Sequence, residues 1–121
     1  MNADEIKTYC INLSGTVETN PFGYEPVCYK LEGKIFAQIY LKTEKITLKC
    51  TPDQRDFLKS FYPGIVVDGY HCPKVQRPYW ITVYYKNMRD CDLMDFIDNA
   101  YQAVISKLPK KIRKEYESKV E

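Results

Sequence analysis

His71 is the only histidine in the chain, and it stands directly beside Cys72. The remaining thiols are Cys10, Cys28, Cys50 and Cys91, spaced about twenty residues apart with no C-x-x-C. A structural zinc site draws on close ligand pairs, and neighbours in an extended segment point to opposite sides, so His71-Cys72 is a poor start for one. An odd, evenly scattered set of cysteines is no disulfide framework either. The expectation is reduced thiols in a reducing cytoplasm, with no metal and no cofactor. Cys-His nucleophilic catalysis would require His71 to meet a distant thiol such as Cys50, which spacing does not establish. The chain has no G-x-x-x-x-G-K-[ST], G-x-G-x-x-G or H-E-x-x-H. A binding role is therefore expected rather than an enzymatic one.

The residues suited to recognition are the aromatics, 11 Tyr, 5 Phe and 1 Trp, and the lysines that alternate with them. Three runs with period two follow one another: Val27 to Leu31, Lys34 to Lys42 after Glu32-Gly33, and Lys45 to Cys50 after Thr43-Glu44. Tyr79 to Tyr85, YWITVYY, gives a fourth run, almost wholly aromatic and β-branched. Side chains alternate across a strand, so each run splits by parity. One parity collects Val27, Tyr29, Leu31, Ile35, Ala37, Ile39, Leu41, Ile46, Leu48, Cys50, Tyr79, Ile81, Val83 and Tyr85, a core face. The other collects Cys28, Lys30, Phe36, Gln38, Tyr40, Lys45, Thr47, Lys49, Trp80, Thr82 and Tyr84, mixing rings with ammonium groups. Rings that stack on bases beside cations that track phosphates are what single-stranded nucleic acid binding asks for. The same face has other readings: cover by the chain's own loop or a second subunit, or a surface for a peptide or small molecule.

The elements that must position these residues are legible from their ends. Asn2 with Glu5 forms a capping-box pattern before an amphipathic stripe, which predicts a helix over residues 3–13, stopped by Ser14-Gly15. Thr16 to Pro26, with Asn20-Pro21-Phe22-Gly23, has no sustained period and is expected to be a shaped loop. Thr51-Pro52-Asp53-Gln54 opens a second helix that runs to about Tyr62. The segment PGIVVDGYHCPKVQRP (63–78) is a long connection with room for one short strand, and its length marks it as a functional-loop candidate. From Cys91 to Leu108 the apolar spacing is helical. After Pro109 the mixed-charge tail, with Lys110, Lys111, Arg113, Lys114 and Lys119 diluted by Glu115, Glu117 and Glu121, is expected to be a solvated helical extension.

The order is α-β-β-β-α-β-(β)-α in one domain over 1–121, with a core over about 3–108. It predicts an α+β, two-layer fold with an antiparallel sheet and helices on one face. The 121 residues, 45% hydrophobic and 28% charged, suit one domain with its own core. Eighteen basic against 16 acidic residues leave a charge of +2, too small to announce a nucleic-acid binder by itself. No apolar run is long enough for a membrane span, and MNADEIKTYC carries acids where a signal peptide carries basic residues, so a soluble cytoplasmic protein is expected. Monomer or weak dimer are both left open.

An ordered set of short motifs adds to this. Tyr9-Cys10, Gly15-Thr16 with Glu18, Pro21-Phe22-Gly23, Gly33-Lys34-Ile35-Phe36-Ala37, Leu48-Lys49-Cys50 with Pro52, Tyr62-Pro63-Gly64, Gly69-Tyr70-His71 with Lys74, Trp80 with Val83, Tyr101, and Lys107-Leu108-Pro109-Lys110 stand in the order and spacing of the MmcQ/YjbR family. The resemblance spans about residues 5 to 111. It implies a small bacterial α+β protein with an antiparallel sheet, a fold likened to type III secretion chaperones and to CyaY. The family's usual description, predicted DNA binding through a wing-like arrangement, brings no catalytic activity with it. Its pattern falls here on Phe22, Lys34, Phe36, Lys49, His71, Lys74 and Trp80, and the chain departs from it over Val75-Gln76-Arg77-Pro78-Tyr79. The combined expectation is a DNA or single-strand binding surface. Lys30, Lys49, Lys74 and Arg77 would neutralise phosphates, while Phe36, Trp80 and His71 would stack or hydrogen-bond. The alternative is a protein, peptide or small-ligand module using the same aromatic face.

Overall fold

The computed structural model describes residues 1–117. Helix α1 (Ala3–Ile11) starts where the Asn2 side chain accepts from the Glu5 N–H and the Glu5 carboxylate accepts from the Asn2 N–H, at 2.8 and 2.9 Å. It buries Ile6 and Cys10. The strands are β1 (Val17–Thr19), β2 (Val27–Leu31), β3 (Lys34–Tyr40), β4 (Lys45–Lys49), β5 (Val66–Asp68) and β6 (Trp80–Val83). All pairings are antiparallel, in the order β1-β2-β3-β4-β6-β5. Helix α2 (Pro52–Phe61) opens on a reciprocal Thr51–Gln54 cap and lies against β5. Helix α3 (Asp90–Ile105) lays Leu93, Phe96, Ile97, Ala100, Tyr101, Val104 and Ile105 onto β2, β3 and β4. The fold is α+β, with helices packed on a six-stranded antiparallel sheet.

The parity reading holds along β2, β4 and β6 but breaks in β3. Register shifts between Tyr29 and Lys30: Tyr29 pairs with Ala37, while Lys30 pairs with Ile35. One β3 residue is therefore extra, and a bulge of this kind turns its side chain to the opposite face. Phe36 is swung inward, fully buried and edge-on to Tyr101 of α3 at 5.6 Å between ring centroids. Ile35 takes the half-exposed outward place beside Lys30. Assigning Phe36 to the binding face is thus corrected: it is a core residue.

Four further expectations change. The Thr16 to Pro26 loop contributes β1, a three-residue edge strand. Tyr79, expected in the core, is 43% exposed, because Arg77–Tyr79 forms a 3-10 turn ahead of β6. The last strand is shorter at its other end too, since Tyr85–Asn87 is a second 3-10 turn. The C-terminal extension is also more than a solvated helix. Helix α4 (Lys110–Glu117) buries Tyr116, whose hydroxyl donates to Glu32 at 2.8 Å. A Cβ on Gly15 would lie 2.7 Å from that hydroxyl, and Gly15 holds φ at +79°, so glycine there is what lets α4 close onto the hairpin end. Lys119 and Glu121 lie outside the described residues. Among the described residues no helix is long and apolar enough to cross a membrane.

Candidate functional site

On the face of the sheet away from α3, cross-strand pairing sets outward side chains in rows. Cys28 pairs with Gln38, Gln38 with Thr47 and Thr47 with Thr82. Tyr40 pairs with Lys45, and Lys49 pairs with Trp80. The connection from Gly69 onward folds back over the middle of this face. The Tyr70 N–H donates to the Thr82 hydroxyl at 2.8 Å, and that hydroxyl is hydrogen-bonded to Thr47 at 2.8 Å, so both threonines are buried with their polar atoms satisfied. A Cβ on Gly69 would lie 2.5 Å from Cys72 Sγ and 2.8 Å from Trp80 Cβ, so the loop crosses the root of Trp80 with no room for a side chain.

Tyr70 anchors the loop through Lys45. The Lys45 ammonium lies 3.2 Å from the centroid of the Tyr70 ring and 5.5 Å from that of Tyr40, and the two rings meet edge to face at 5.0 Å. Lys45 is only 6% exposed and forms no salt bridge within 4.0 Å among the described residues. Burial holds its ammonium below the ordinary lysine range, and Glu25 offsets part of that shift. Two electron-rich ring faces thus stand where a carboxylate would be expected.

Between this loop and the 20–26 loop a cleft of about 660 Å³ stays open. Its floor is Gln38, Tyr40 and Trp80 of the sheet. Tyr70, His71, Cys72 and Gln76 form one wall, and Phe22, Glu25 and Pro26 the other. His71 adopts a left-handed φ of +55°, and its ring centroid lies 3.9 Å from that of Tyr70. The Tyr40 hydroxyl donates to Gln38 at a long 3.4 Å, and Glu25 accepts from the Lys42 N–H at 3.2 Å. At the cleft's end the Lys49 ammonium lies 5.4 Å from the centroid of the Trp80 ring. Burial first, then the like charges of Lys34 and Lys107, hold Lys49 below the ordinary lysine range. It forms no salt bridge among the described residues.

The sequence-selected residues therefore separate. Trp80 and His71 line the cleft, and Lys49 stands over Trp80. Lys30 is half-buried on β2 beside Ile35, outside the cleft lining. Lys74 and Arg77 are exposed on the covering loop and line no part of the cleft. Phe36 faces α3. Sequence reasoning left out Gln38, Tyr70, Cys72, Gln76 and Glu25 as site residues. For Tyr70, Cys72 and Gln76 the signal was the long connection itself, because a strand pattern cannot say which loop returns over which face; Gln38 already stood on the parity face, and Glu25 sits in the unpatterned 16–26 loop. Among the described residues no cluster of His, Cys, Asp and Glu is arranged to hold a metal ion.

Comparison with solved structures places this architecture among known ones. DR2400 of Deinococcus radiodurans, carrying a domain termed DUF419, superposes with a TM-score of 0.84 at 24% identity, over 95% of this chain and 87% of that one. A protein from Pseudomonas syringae superposes with a TM-score of 0.69 at 18% identity, over 85% of this chain and 98% of that one. At these identities the likeness is one of fold. No curated protein matches. The YjbR family model matches residues 11–103, a span that includes every strand, the covering loop and the cleft, and the chain belongs to the YjbR family.

Proposed function

We propose that the protein is a non-catalytic binding module that holds a short unstacked stretch of single-stranded nucleic acid, with one base against Trp80 and its phosphate on Lys49. The observation that carries this reading is the Lys49–Trp80 pair at the lip of the cleft, a partly desolvated cation with no salt bridge among the described residues, beside a half-buried ring. A desolvated ammonium with like-charged neighbours favours an anion beside it, and a flat indole favours another π-face. Lys34 and Lys107 add to the positive potential at Lys49, while Lys30, Lys74 and Arg77 stand outside the cleft, where a strand entering or leaving it would run. The cleft volume is that of a small-molecule pocket, which suits one splayed nucleotide rather than a stacked duplex.

Catalysis has less support. Burial pushes the Cys50 thiol up to about 12 and raises Cys72 as well, so neither supplies a thiolate at neutral pH. His71 packs on Tyr70 and forms no side-chain hydrogen bond that would orient it as a base, among the described residues. The test is anisotropy of a labelled single-stranded oligonucleotide titrated with the protein over a range of salt. The reading expects affinity that falls as salt rises, tighter for single strand than for duplex. Binding of an apolar peptide or planar small molecule with no salt response would support the alternative module instead.

A further inference from the structure

Helix α2 has no buried residue. Its inner flank is fixed: Arg55 and Lys59 both donate to Asp68 of β5, at 3.0 and 2.7 Å, and Leu58 packs on the core. Its outer flank carries Phe57 and Phe61, 63% and 64% exposed and stacked at 5.6 Å with 17° between their planes. Two phenylalanines one turn apart on a solvent face are a costly arrangement for a chain that keeps its other phenylalanines, except Phe22, in the core. They are also braced from below. Phe61 meets Tyr62 at 4.9 Å and Tyr62 meets Phe96 of α3 at 5.5 Å, so a run of touching rings leads from the exposed pair into the core. Aromatic side chains held this way lose little freedom when covered, which is the property of an interface anchor.

The charges around the pair indicate what covers it. Asp53 and Asp56 lie exposed at the start of α2. Beyond its end, within electrostatic reach of Tyr62, stands exposed Arg89, whose Nε and Nη2 donate to Asp92 one turn before Phe96. Asp53 and Asp56 at one end, with Asp56 3.9 Å from Arg55, and Arg89 paired with Asp92 at the other, with the rings between, set acid opposite base under a twofold rotation, so that association exchanges exposed partners within each chain for partners across the seam. We infer that two copies of this chain associate through antiparallel α2 helices, with Phe57 and Phe61 of each at the centre and Asp53 and Asp56 of each facing Arg89 of the other. Antiparallel helices also set opposite dipole ends side by side. The interface lies apart from the cleft and does not depend on the ligand proposed for it.

Sedimentation velocity of the full chain over a roughly hundredfold concentration range tests this. The expected result is a monomer–dimer equilibrium that shifts to monomer in Phe57→Ser and Phe61→Ser, both retaining the wild-type circular dichroism spectrum because neither ring is buried. Arg89→Asp is expected to weaken association at least about tenfold, and the added change Asp56→Arg to restore most of it. A chain that stays monomeric throughout, or a dimer indifferent to Phe57→Ser, would overturn the inference, as would restoration by no charge exchange.

Discussion

Lys45 and Tyr70 form the contact that closes the covering loop onto the sheet, an ammonium 3.2 Å from a ring centroid with no carboxylate paired to it among the described residues. Removing the ring by Tyr70→Ala deletes that contact and the edge-to-face packing on Tyr40. The expected loss is about 1–3 kcal/mol in urea denaturation. Trp80 is the only tryptophan, so loosening of the loop should also shift its emission to longer wavelength. Unchanged stability and emission would remove Tyr70 from its anchoring role.

Lys45 and the thiols pull stability in opposite directions at alkaline pH. Burial pushes Cys10 and Cys50 up to about 12, so above about pH 8.5 they ionise in the unfolded chain before they ionise in the fold. Each such group lowers stability by about 1.4 kcal/mol per pH unit within that window. Lys45 is lowered in the fold, so the unfolded chain holds its proton longer, and stability gains from Lys45 as pH rises toward about 10.4. Denaturation at pH 7.5, 9 and 10 should show a net decline, and a steeper one in Lys45→Met. Equal slopes in the two proteins would contradict the burial of this amine.

Asp68 governs the acid side. The hydrogen bond from Lys59 is the largest cause that lowers its carboxyl below the usual range, with Arg55 adding to it. The stabilisation is present above about pH 3.9 and disappears as pH falls through the lowered value. Asp68→Asn should cost about 1 kcal/mol at neutral pH, because the group is partly exposed, and should flatten the acid limb of the stability curve.

Phe36 and Trp80 separate core from surface. Phe36→Ala is expected to cost about 3–5 kcal/mol of stability. Trp80→Ala should instead weaken oligonucleotide binding about 5- to 150-fold while the fold persists. The reverse pattern would move the site off the cleft.

These contrasts mark where sequence reading ends. Helix caps at Asn2 and Thr51 were legible because they are local hydrogen-bond patterns, and β2, β4 and β6 because parity is local too. Phe36 was misplaced because a bulge is a property of two paired strands, invisible in either alone. Tyr79 was misplaced because YWITVYY has strand propensity throughout, while Pro78 and the 3-10 turn decide where the ladder begins. Parity places Lys45 among the lysines of the ring-and-cation face. Its burial under Tyr70 depends on a loop contact 25 residues away in sequence, which no periodicity encodes. Ring and cation chemistry selects Trp80, Lys49 and His71 from the sequence even when geometry is unknown, and in the fold Trp80 and His71 line the cleft with Lys49 beside Trp80.

The central claim, a base on Trp80 with its phosphate on Lys49, is tested most directly by Trp80 fluorescence during titration with a short single-stranded oligonucleotide at low salt. The account predicts saturable quenching, a linear fall of log affinity with log salt, and a slope shallower by about one in Lys49→Ala. No quenching at low salt, or quenching whose affinity ignores salt and Lys49, would contradict it.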